Sequence, residues 1–392
     1  MNKGFSLWLD VLRVLATFVV VVSHFAYQRF SGGGLQWFRD LNFGSDAVVV
    51  FFVVSGLVIA FAAERDGTAN KYAFNRLTRL WSVVIPAIVL TMVLDGAGSR
   101  LDPTAYPAGY YAPQSWLDMI LRGGSFSNEF SSLGRLRLGT NGPLWSLSYE
   151  AAYYALFGVA MFMTGLRRIA LLVALVVLVG LPILLLMPAW LMGVGAWHAI
   201  KTGQAAALSR TAAWALALAG PLGYAGLLAL GAPDALLHAS SQLLGGLNMN
   251  ATFGFSDEFV WNAVLGMFTV LHILGMARLM QGVQTDSAAI RWFAGASFSL
   301  YVTHYPALHF FDALLPQMTG RALVLLVAAI ISGLVFASLF ERRIIGFRQT
   351  LRKAMTAFNP PKAKALDNAT STTASLATLG TTSSAHSGSG SS

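Results

Sequence analysis

The first apolar segment, residues 7–28, places the strongest constraint on this chain. It reads LWLDVLRVLATFVVVVSHFAYQ, and at 1.5 Å per residue it is long enough to cross the hydrocarbon core of a bilayer. It nevertheless carries Asp10, Arg13 and His24. An ionisable side chain at membrane depth costs about 2.5–3.5 kcal/mol on insertion scales, so such residues indicate function by default.

Arg13 and His24 are expected to project from nearly one face of this helix. They are eleven residues apart, which is about three turns and about 16 Å of rise. This arrangement suits a long anionic ligand that lies along the helix with its reactive end at the imidazole. In the alternative interpretation, Arg13 snorkels to the headgroups and pairs with Asp10, while His24 lies near the opposite interface.

The composition predicts a polytopic membrane protein. Hydrophobic residues make up 56% of the chain and charged residues only 11%, against about 25% charged residues in soluble domains. The net charge of +9 does not indicate nucleic acid, because Lys and Arg are spread between apolar stretches instead of forming a patch. The absence of cysteine excludes disulfides and thiolate chemistry. No small-residue cleavage site follows the first segment, so we expect an uncleaved span.

We predict an all-α fold with about ten transmembrane helices and both termini in the cytoplasm. In this orientation the predicted inner loops carry most basic residues, and the outer loop 231–258 has no Lys or Arg. We expect one membrane domain, 1–357, with a long outer loop at about 95–142, and a disordered tail, 358–392, rich in Ser, Thr, Ala and Gly. The predicted spans are 7–28, 45–63, 81–94, 144–168, 169–186, 188–200, 212–230, 259–280, 292–315 and 322–340.

Five sequence blocks resemble the integral-membrane acyltransferase-3 family. They are LDVLRVLATFVVVVSH, SDAVVVFFVVSGLVI, NRLTRL, LWSLSYE and SFSLYVTH, and their order and spacing match over roughly residues 5–345. The resemblance implies about ten membrane helices and transfer of an acyl group, often acetyl or succinyl, from cytoplasmic acyl-CoA. The acceptors are usually hydroxyls of cell-envelope glycans or other extracytoplasmic compounds. Some members carry a fused C-terminal esterase-like domain, which we do not expect here.

The candidate catalytic residues are His24 and Arg13. Acyl transfer to a hydroxyl needs a base, and an imidazole titrates near neutral pH. His24 could act as that base or form an acyl-imidazole intermediate, and both schemes stay open. Arg13 would hold a polar part of the donor or orient the site. Arg76 and Arg79, three residues apart on one helical face, suit the phosphates of CoA, although such a pair also anchors a helix at the cytoplasmic interface.

The candidate substrate-binding residues lie in two other blocks. In LWSLSYE they are Ser146, Ser148 and Glu150; in SFSLYVTH they are Tyr301 and His304. Glu150 could bind the acceptor or fix a histidine tautomer. A capped helix start in the first block, and hydrogen bonds between helices in the second, are the structural alternatives. We expect no metal site, because the seven histidines are scattered and form no HxxxH or HExxH pattern.

The sequence therefore predicts a multi-pass enzyme of the cell inner membrane. It would transfer an acyl group, acetyl first among the candidates, from acyl-CoA to a glycan or other hydroxyl acceptor. The bilayer is the other expected partner. The alternative is a transporter or flippase of a lipid-linked or anionic solute, whose buried charges would form the pathway. A third class, a structural or sensory protein, would use the polar residues for packing alone. The oligomeric state stays open.

Overall fold

Ten helices overlap the ten predicted segments. A computed structural model describes residues 1–107, 111 and 114–358, and within these ranges the chain is helical with no β-strand. The ten helices are α1 (Lys3–Phe25), α2 (Phe43–Asp66), α3 (Ala69–Leu101), α4 (Trp145–Phe162), α5 (Gly165–Val179), α6 (Leu181–Lys201), α7 (Arg210–Ala229), α8 (Phe259–Leu279), α9 (Ser297–Leu314) and α10 (Arg321–Phe336).

Length and composition support seven membrane crossings, fewer than the ten predicted. Among the described residues, seven helical stretches are long and apolar enough to cross a membrane, which indicates a multi-pass membrane protein. The other three helices are α4, α5 and α9. Helix α5 has only 15 residues, about 22 Å of rise. Helices α4 and α9 have 18 residues each and carry serine, histidine and acidic side chains that lower their mean hydropathy.

Several predicted boundaries are wrong. The break between the fifth and sixth segments lies at Gly180, which has a φ of 84°, and Pro182 follows in the first turn of α6. Pro188, predicted to begin the sixth segment, lies inside that helix. The stretch 64–80 was predicted as a loop, but α3 begins at Ala69. Arg76 and Arg79 therefore project from a regular helix, where three-residue spacing brings them onto one face.

Helix α9 lies at the centre of the bundle. It packs against α1, α3 and α10, and every residue from Ser299 to His309 is buried. Its polar side chains are thus enclosed by protein, where neighbouring helices can satisfy them. Helices α2 and α6 also pack closely: a Cβ at Gly56 would collide with the Trp190 carbonyl.

The chain between α3 and α4 contains a short helix, Trp116–Gly124, and α3 extends seven residues into the predicted outer loop, which was to start at about 95. Residues 1–344 form one compact unit, and the unit that follows contains the helix Ile344–Phe358. The predicted disordered tail, apart from its first residue, lies outside the described residues.

Candidate active site

A cavity of about 330 Å³ opens between α1, α2, α3, α4 and α9. Helix packing brings the five sequence blocks to it from distant parts of the chain. Six of the nine predicted site residues line it, namely Arg13, Arg76, Arg79, Ser146, Glu150 and Tyr301.

Buried carboxylates hold the two arginines of α3 in place at this cavity. Arg76 forms an ion pair with Asp66 at 3.4 Å, and Arg79 forms one with Glu341 at 3.1 Å. Both carboxylate side chains are 1% exposed, so each guanidinium also compensates a buried charge. Within the described residues, Arg76 Nε is buried without a hydrogen-bond partner. These ion pairs therefore hold both guanidinium groups in fixed positions at the cavity.

Arg13 combines the two roles considered from the sequence. Its guanidinium pairs with Asp10 at 3.3 Å and donates a hydrogen bond to Ser297 Oγ at 3.3 Å. Asp10 is shared, because Arg291 also pairs with it at 3.0 Å. Arg13 nevertheless lines the cavity, so its pairing with Asp10 orients the cation without removing it from the site.

Glu150 also lines the cavity and contributes a carboxylate. Its Oε1 accepts hydrogen bonds from Ser55 Oγ at 2.6 Å and from Tyr154 at 2.5 Å. Ser55 in turn accepts a hydrogen bond from Trp190 Nε1 at 3.3 Å. The hydroxyl groups of Ser55 and Tyr154 thus orient the Glu150 carboxylate. Among the described residues, no histidine contacts it.

Ser146 and Tyr301 line the cavity with a pair of hydroxyl groups. The two hydroxyl oxygens lie 2.6 Å apart, so one hydroxyl donates to the other, and the second can donate to the carbonyl oxygen of Pro143, which lies 3.2 Å from each. Ser148 lies elsewhere: it is fully buried, its hydroxyl donates to the Phe126 carbonyl oxygen at 2.5 Å, and it accepts from the Glu129 backbone N–H at 3.3 Å. Ser148 therefore fixes the loop before α4 and is not among the residues that line the cavity.

Glu129 belongs to this loop and is almost completely buried. Burial raises the pKa of its carboxyl to about 7, and Arg135 partly opposes the shift. The described hydrogen-bonding partner of its carboxylate is Asn128, at 3.5 Å. The packing of the loop against α4 therefore favours a protonated Glu129.

His24 and His304 contact each other and are not among the residues that line the cavity. His304 Nε2 lies 3.1 Å from His24 Nδ1, and each Nδ1 lies 3.0 Å from the carbonyl oxygen four residues earlier, that of Val20 or Leu300. A carbonyl oxygen can only accept, so both Nδ1 atoms carry hydrogen. His304 Nε2 is then the acceptor for His24 Nδ1–H. In the described part of the chain, His24 Nε2 has no hydrogen-bond partner, and its lone pair is available.

Tyr301 lies between the cavity and the two histidines along the bundle. Helices α1 and α9 run in the same direction, because Arg13 contacts Ser297 and His24 contacts His304. Tyr301 follows Ser297 by four residues and precedes His304 by three, about 6 Å and 4.5 Å of helical rise. The Tyr301 and His304 ring centres are 6.2 Å apart. A ligand passing from the arginines to His24 must pass the Ser146–Tyr301 pair.

Comparisons with known proteins identify the family. A family model described as "Acyltransferase domain", that of the acyltransferase-3 family, matches residues 6–342. The chain belongs to the acyltransferase-3 family.

Two curated relatives have acyltransferase names. An "O-acetyl transferase" of Shigella phage Sf6 is 27% identical over 38% of this chain and 44% of its own length. "Acyltransferase MdmB" of Streptomyces mycarofaciens is 28% identical over 37% of this chain and 36% of its own length. The chain thus aligns with less than half of each of these relatives. No solved structure matches it.

Sequence reasoning about this acyltransferase-3 chain missed several site residues. Tyr154 is four residues after Glu150, so the helical i, i+4 spacing could have identified it. Ser55 lies in the second sequence block and was not among the candidates, although it donates to Glu150. Glu341 was not a candidate either, and no local signal connects it with Arg79, 262 residues away. No metal-binding group of three His, Asp or Glu side chains occurs among the described residues.

Proposed function

We propose that this chain is an acyl-CoA-dependent O-acyltransferase of the cell inner membrane. It would cross the bilayer ten times with both ends in the cytoplasm. The donor is acyl-CoA, with acetyl-CoA the first candidate, and the acceptor is a hydroxyl of an envelope glycan or another extracytoplasmic compound. The observation that carries the proposal is one cavity lined by Arg13, Arg76 and Arg79, with His24 about three turns after Arg13 on the same helix.

The cations of the cavity suit the donor. Arg76 and Arg79 would bind CoA phosphates, since a guanidinium pairs bidentately with phosphate oxygens. The thioester arm would extend past Arg13 toward His24. Glu150 and the Ser146–Tyr301 pair line the same cavity, so we assign them to the arm of the donor and not to the acceptor. Ser148 would act indirectly, through the loop that it fixes.

His24 would carry the chemistry through its Nε2 lone pair. As a base, Nε2 takes the acceptor's hydroxyl proton while the oxygen bonds to the thioester carbon. The C–S bond then breaks, and the proton passes to the leaving thiolate. As an acyl carrier, Nε2 itself bonds to the acyl carbon when the C–S bond breaks and the thiolate leaves. In a second step the acceptor oxygen takes the acyl group, and its hydroxyl proton passes to the freed Nε2 and then to the thiolate. Both routes need the tautomer with hydrogen on His24 Nδ1, which the Val20 carbonyl oxygen and His304 Nε2 accept.

The test uses purified full-length protein in nanodiscs with radiolabelled acetyl-CoA and a panel of envelope glycans. We expect CoA release and labelled glycan from wild type, and a loss of at least about hundredfold in His24→Ala, the scale of a lost general base. His198→Ala, an exposed histidine on α6, is the matched control and should keep activity.

Two outcomes contradict the proposal in different ways. Wild-type transfer by folded His24→Ala protein removes His24 from the chemistry. Absence of CoA release with every acyl-CoA tested, from protein shown to be folded, favours the transporter, because a carrier leaves its substrate chemically unchanged.

A further inference from the structure

A second cavity, of about 350 Å³, lies at the opposite end of α3 from Arg76 and Arg79. Asp95 contributes to it from near the end of the helix, 19 residues after Arg76, which is about 28 Å of rise. The described residues that line the two cavities have no member in common. These two cavities thus lie at opposite ends of a single helix and are lined by different described residues.

The polar groups of the second cavity have unused hydrogen-bonding capacity. Asp95 is buried and accepts from the Thr140 backbone N–H at 2.9 Å and from its hydroxyl at 2.5 Å. A carboxylate has about four acceptor positions, so two stay available. Gln114 lines this cavity, and its Oε1 is buried with no partner among the described residues; an unpaired buried acceptor is unfavourable unless a ligand donates to it. Arg100 adds a cationic donor.

The indole side chain of Trp116 forms part of the wall of this cavity. Trp116 lines it and is 67% exposed. Such a ring offers a flat apolar face beside groups that bind hydroxyls, and small-molecule sites combine apolar walls with a few placed polar groups in this way. A sugar ring has the matching chemistry, with C–H groups on its faces and hydroxyls around its edge.

Hydrogen bonds connect this cavity to the helix that carries His304. Asp95 binds Thr140, and the next residue, Asn141, donates to Thr91 Oγ1 at 2.9 Å and to the Val302 carbonyl oxygen at 2.8 Å. Val302 precedes His304 by two residues on α9. A ligand bound at Asp95 would therefore lie close to Thr140 and Asn141, and Asn141 contacts α9 two residues before His304.

We propose that the second cavity is the acceptor subsite and binds one sugar ring of a glycan. Trp116 stacks on the ring, Gln114 Oε1 and Asp95 accept from its hydroxyls, and Arg100 donates to a ring or hydroxyl oxygen. This inference rests on the proposed function, and it separates the acceptor site from the arginine-lined donor cavity.

Trp116 could instead anchor its helix in the bilayer, and a control variant distinguishes this role from sugar binding. The helix Trp116–Gly124 also exposes Leu117, Ile120 and Leu121, an apolar face that could lie against lipid. If Trp116 only anchors this helix in the bilayer, then Ile120→Ala should have the same effect as Trp116→Ala. If Trp116 binds sugar, the two variants should differ.

The first measurement is saturation-transfer NMR on the full-length protein in nanodiscs, with maltotetraose and N-acetylchitotetraose as probes and no acyl-CoA. We expect saturation of the sugar protons by wild type and by Ile120→Ala, and a reduction of at least about fivefold in Trp116→Ala and in Gln114→Ala. Trp116→Phe, which keeps a ring, should retain most of the signal. No transfer to either probe from wild type, or equal transfer from Trp116→Ala, overturns the assignment, as does an equal loss in Ile120→Ala.

The second measurement separates this inference from the proposed function. With a glycan that wild type acylates, Trp116→Ala should raise the acceptor KM about tenfold and leave the acetyl-CoA KM unchanged. Transfer with an unchanged acceptor KM keeps the proposed function and removes the subsite. Sugar binding that depends on Trp116, without CoA release by wild type, keeps the sugar site and removes the acyltransferase.

Discussion

At the scale of single residues, the histidine pair depends on which atoms carry hydrogen. Main-chain carbonyls fix Nδ1–H on both rings, so His304 Nε2 accepts from His24 and leaves His24 Nε2 with its lone pair. His304 does not need to touch substrate for this effect. We therefore regard it as a positioning residue for His24.

Replacing His304 should lower turnover without weakening donor binding. In His304→Leu the Val20 carbonyl oxygen still accepts from His24 Nδ1–H, but the second acceptor and the neighbouring ring that hold the imidazole in place are lost. We therefore expect kcat to fall by roughly tenfold to hundredfold, within the contribution of a well-placed base. His304→Gln can offer an amide oxygen near the same position and should recover part of the loss. The acetyl-CoA KM should stay within about twofold, because His304 does not line the donor cavity.

The pH profile distinguishes positioning from simple packing. Loss of orientation should change the apparent pKa in the kcat profile, since the neighbour of the reacting imidazole has changed. A purely structural residue would lower the yield of folded protein and leave the profile and the kcat of the folded fraction unchanged. That result in both variants would contradict the positioning role.

The sequence predicted some residue relationships and could not predict others. Helical geometry placed Arg13 and His24 on one face and Arg76 beside Arg79, because these depend only on 3.6 residues per turn. The partners of those side chains come from tertiary packing. Glu341 reaches Arg79 across 262 residues, and His304 reaches His24 across 280. Periodicity contains no information on which helices become neighbours.

At the scale of elements, the loop before α4 is held by a buried acidic side chain. Ser148 and the Glu129 backbone bind the loop to α4, while the Glu129 carboxyl has a pKa raised to about 7 by burial. This makes the stability of the loop pH-dependent. Below about pH 4.5 the carboxyl is protonated in both folded and unfolded chains. Between there and pH 7 only the folded state keeps the proton, so stability falls as pH rises.

We expect Glu129→Gln to remove this dependence. The wild-type melting temperature in detergent should fall between pH 5 and pH 7.5, with each unit of displaced pKa corresponding to about 1.4 kcal/mol. The glutamine variant, which keeps the shape without the ionisation, should be flatter over the same range and more stable than wild type at pH 7.5. Parallel curves for the two proteins would contradict a buried, protonated Glu129.

Element boundaries were predictable where composition changes sharply. Helix α8 is within one residue of its predicted range. The α5–α6 break was misplaced because Pro188 was interpreted as a helix start, whereas a glycine with positive φ ends the segment at Gly180. Proline is tolerated inside a helix when neighbouring groups satisfy the freed carbonyl, which is common in membrane bundles. Local sequence alone cannot show that compensation.

At the scale of the whole molecule, the two cavities at opposite ends of α3 suggest donor and acceptor entry from opposite sides of the membrane. This requires that the α3 end with Arg76 faces the cytoplasm. The prediction follows from basic residues concentrated in alternate loops. It also requires that α4 crosses the membrane. This helix is not apolar enough to be identified as a membrane span by its composition alone, so it would cross in contact with the other helices of the bundle.

Single cysteines can test this orientation, because the chain has none of its own. A membrane-impermeant maleimide applied to intact spheroplasts should label Leu133→Cys and Ala239→Cys. It should label Thr164→Cys and Gln204→Cys only after permeabilisation. Each outer position and its inner counterpart flank one helix, α4 for the first pair and α7 for the second. All four positions are exposed, so failure to label reflects the side of the membrane and not burial.

Each labelling pattern has a different consequence. The reverse pattern at all four positions would place Arg76 and Arg79 outside the cell, away from cytoplasmic acyl-CoA, and would contradict the donor assignment. Equal access at Leu133→Cys and Thr164→Cys would show that α4 does not cross, which removes the ten-span arrangement. The expected pattern places the arginine cavity at the cytoplasmic side and Trp116 at the outer side, as transfer from an internal donor to an external acceptor requires.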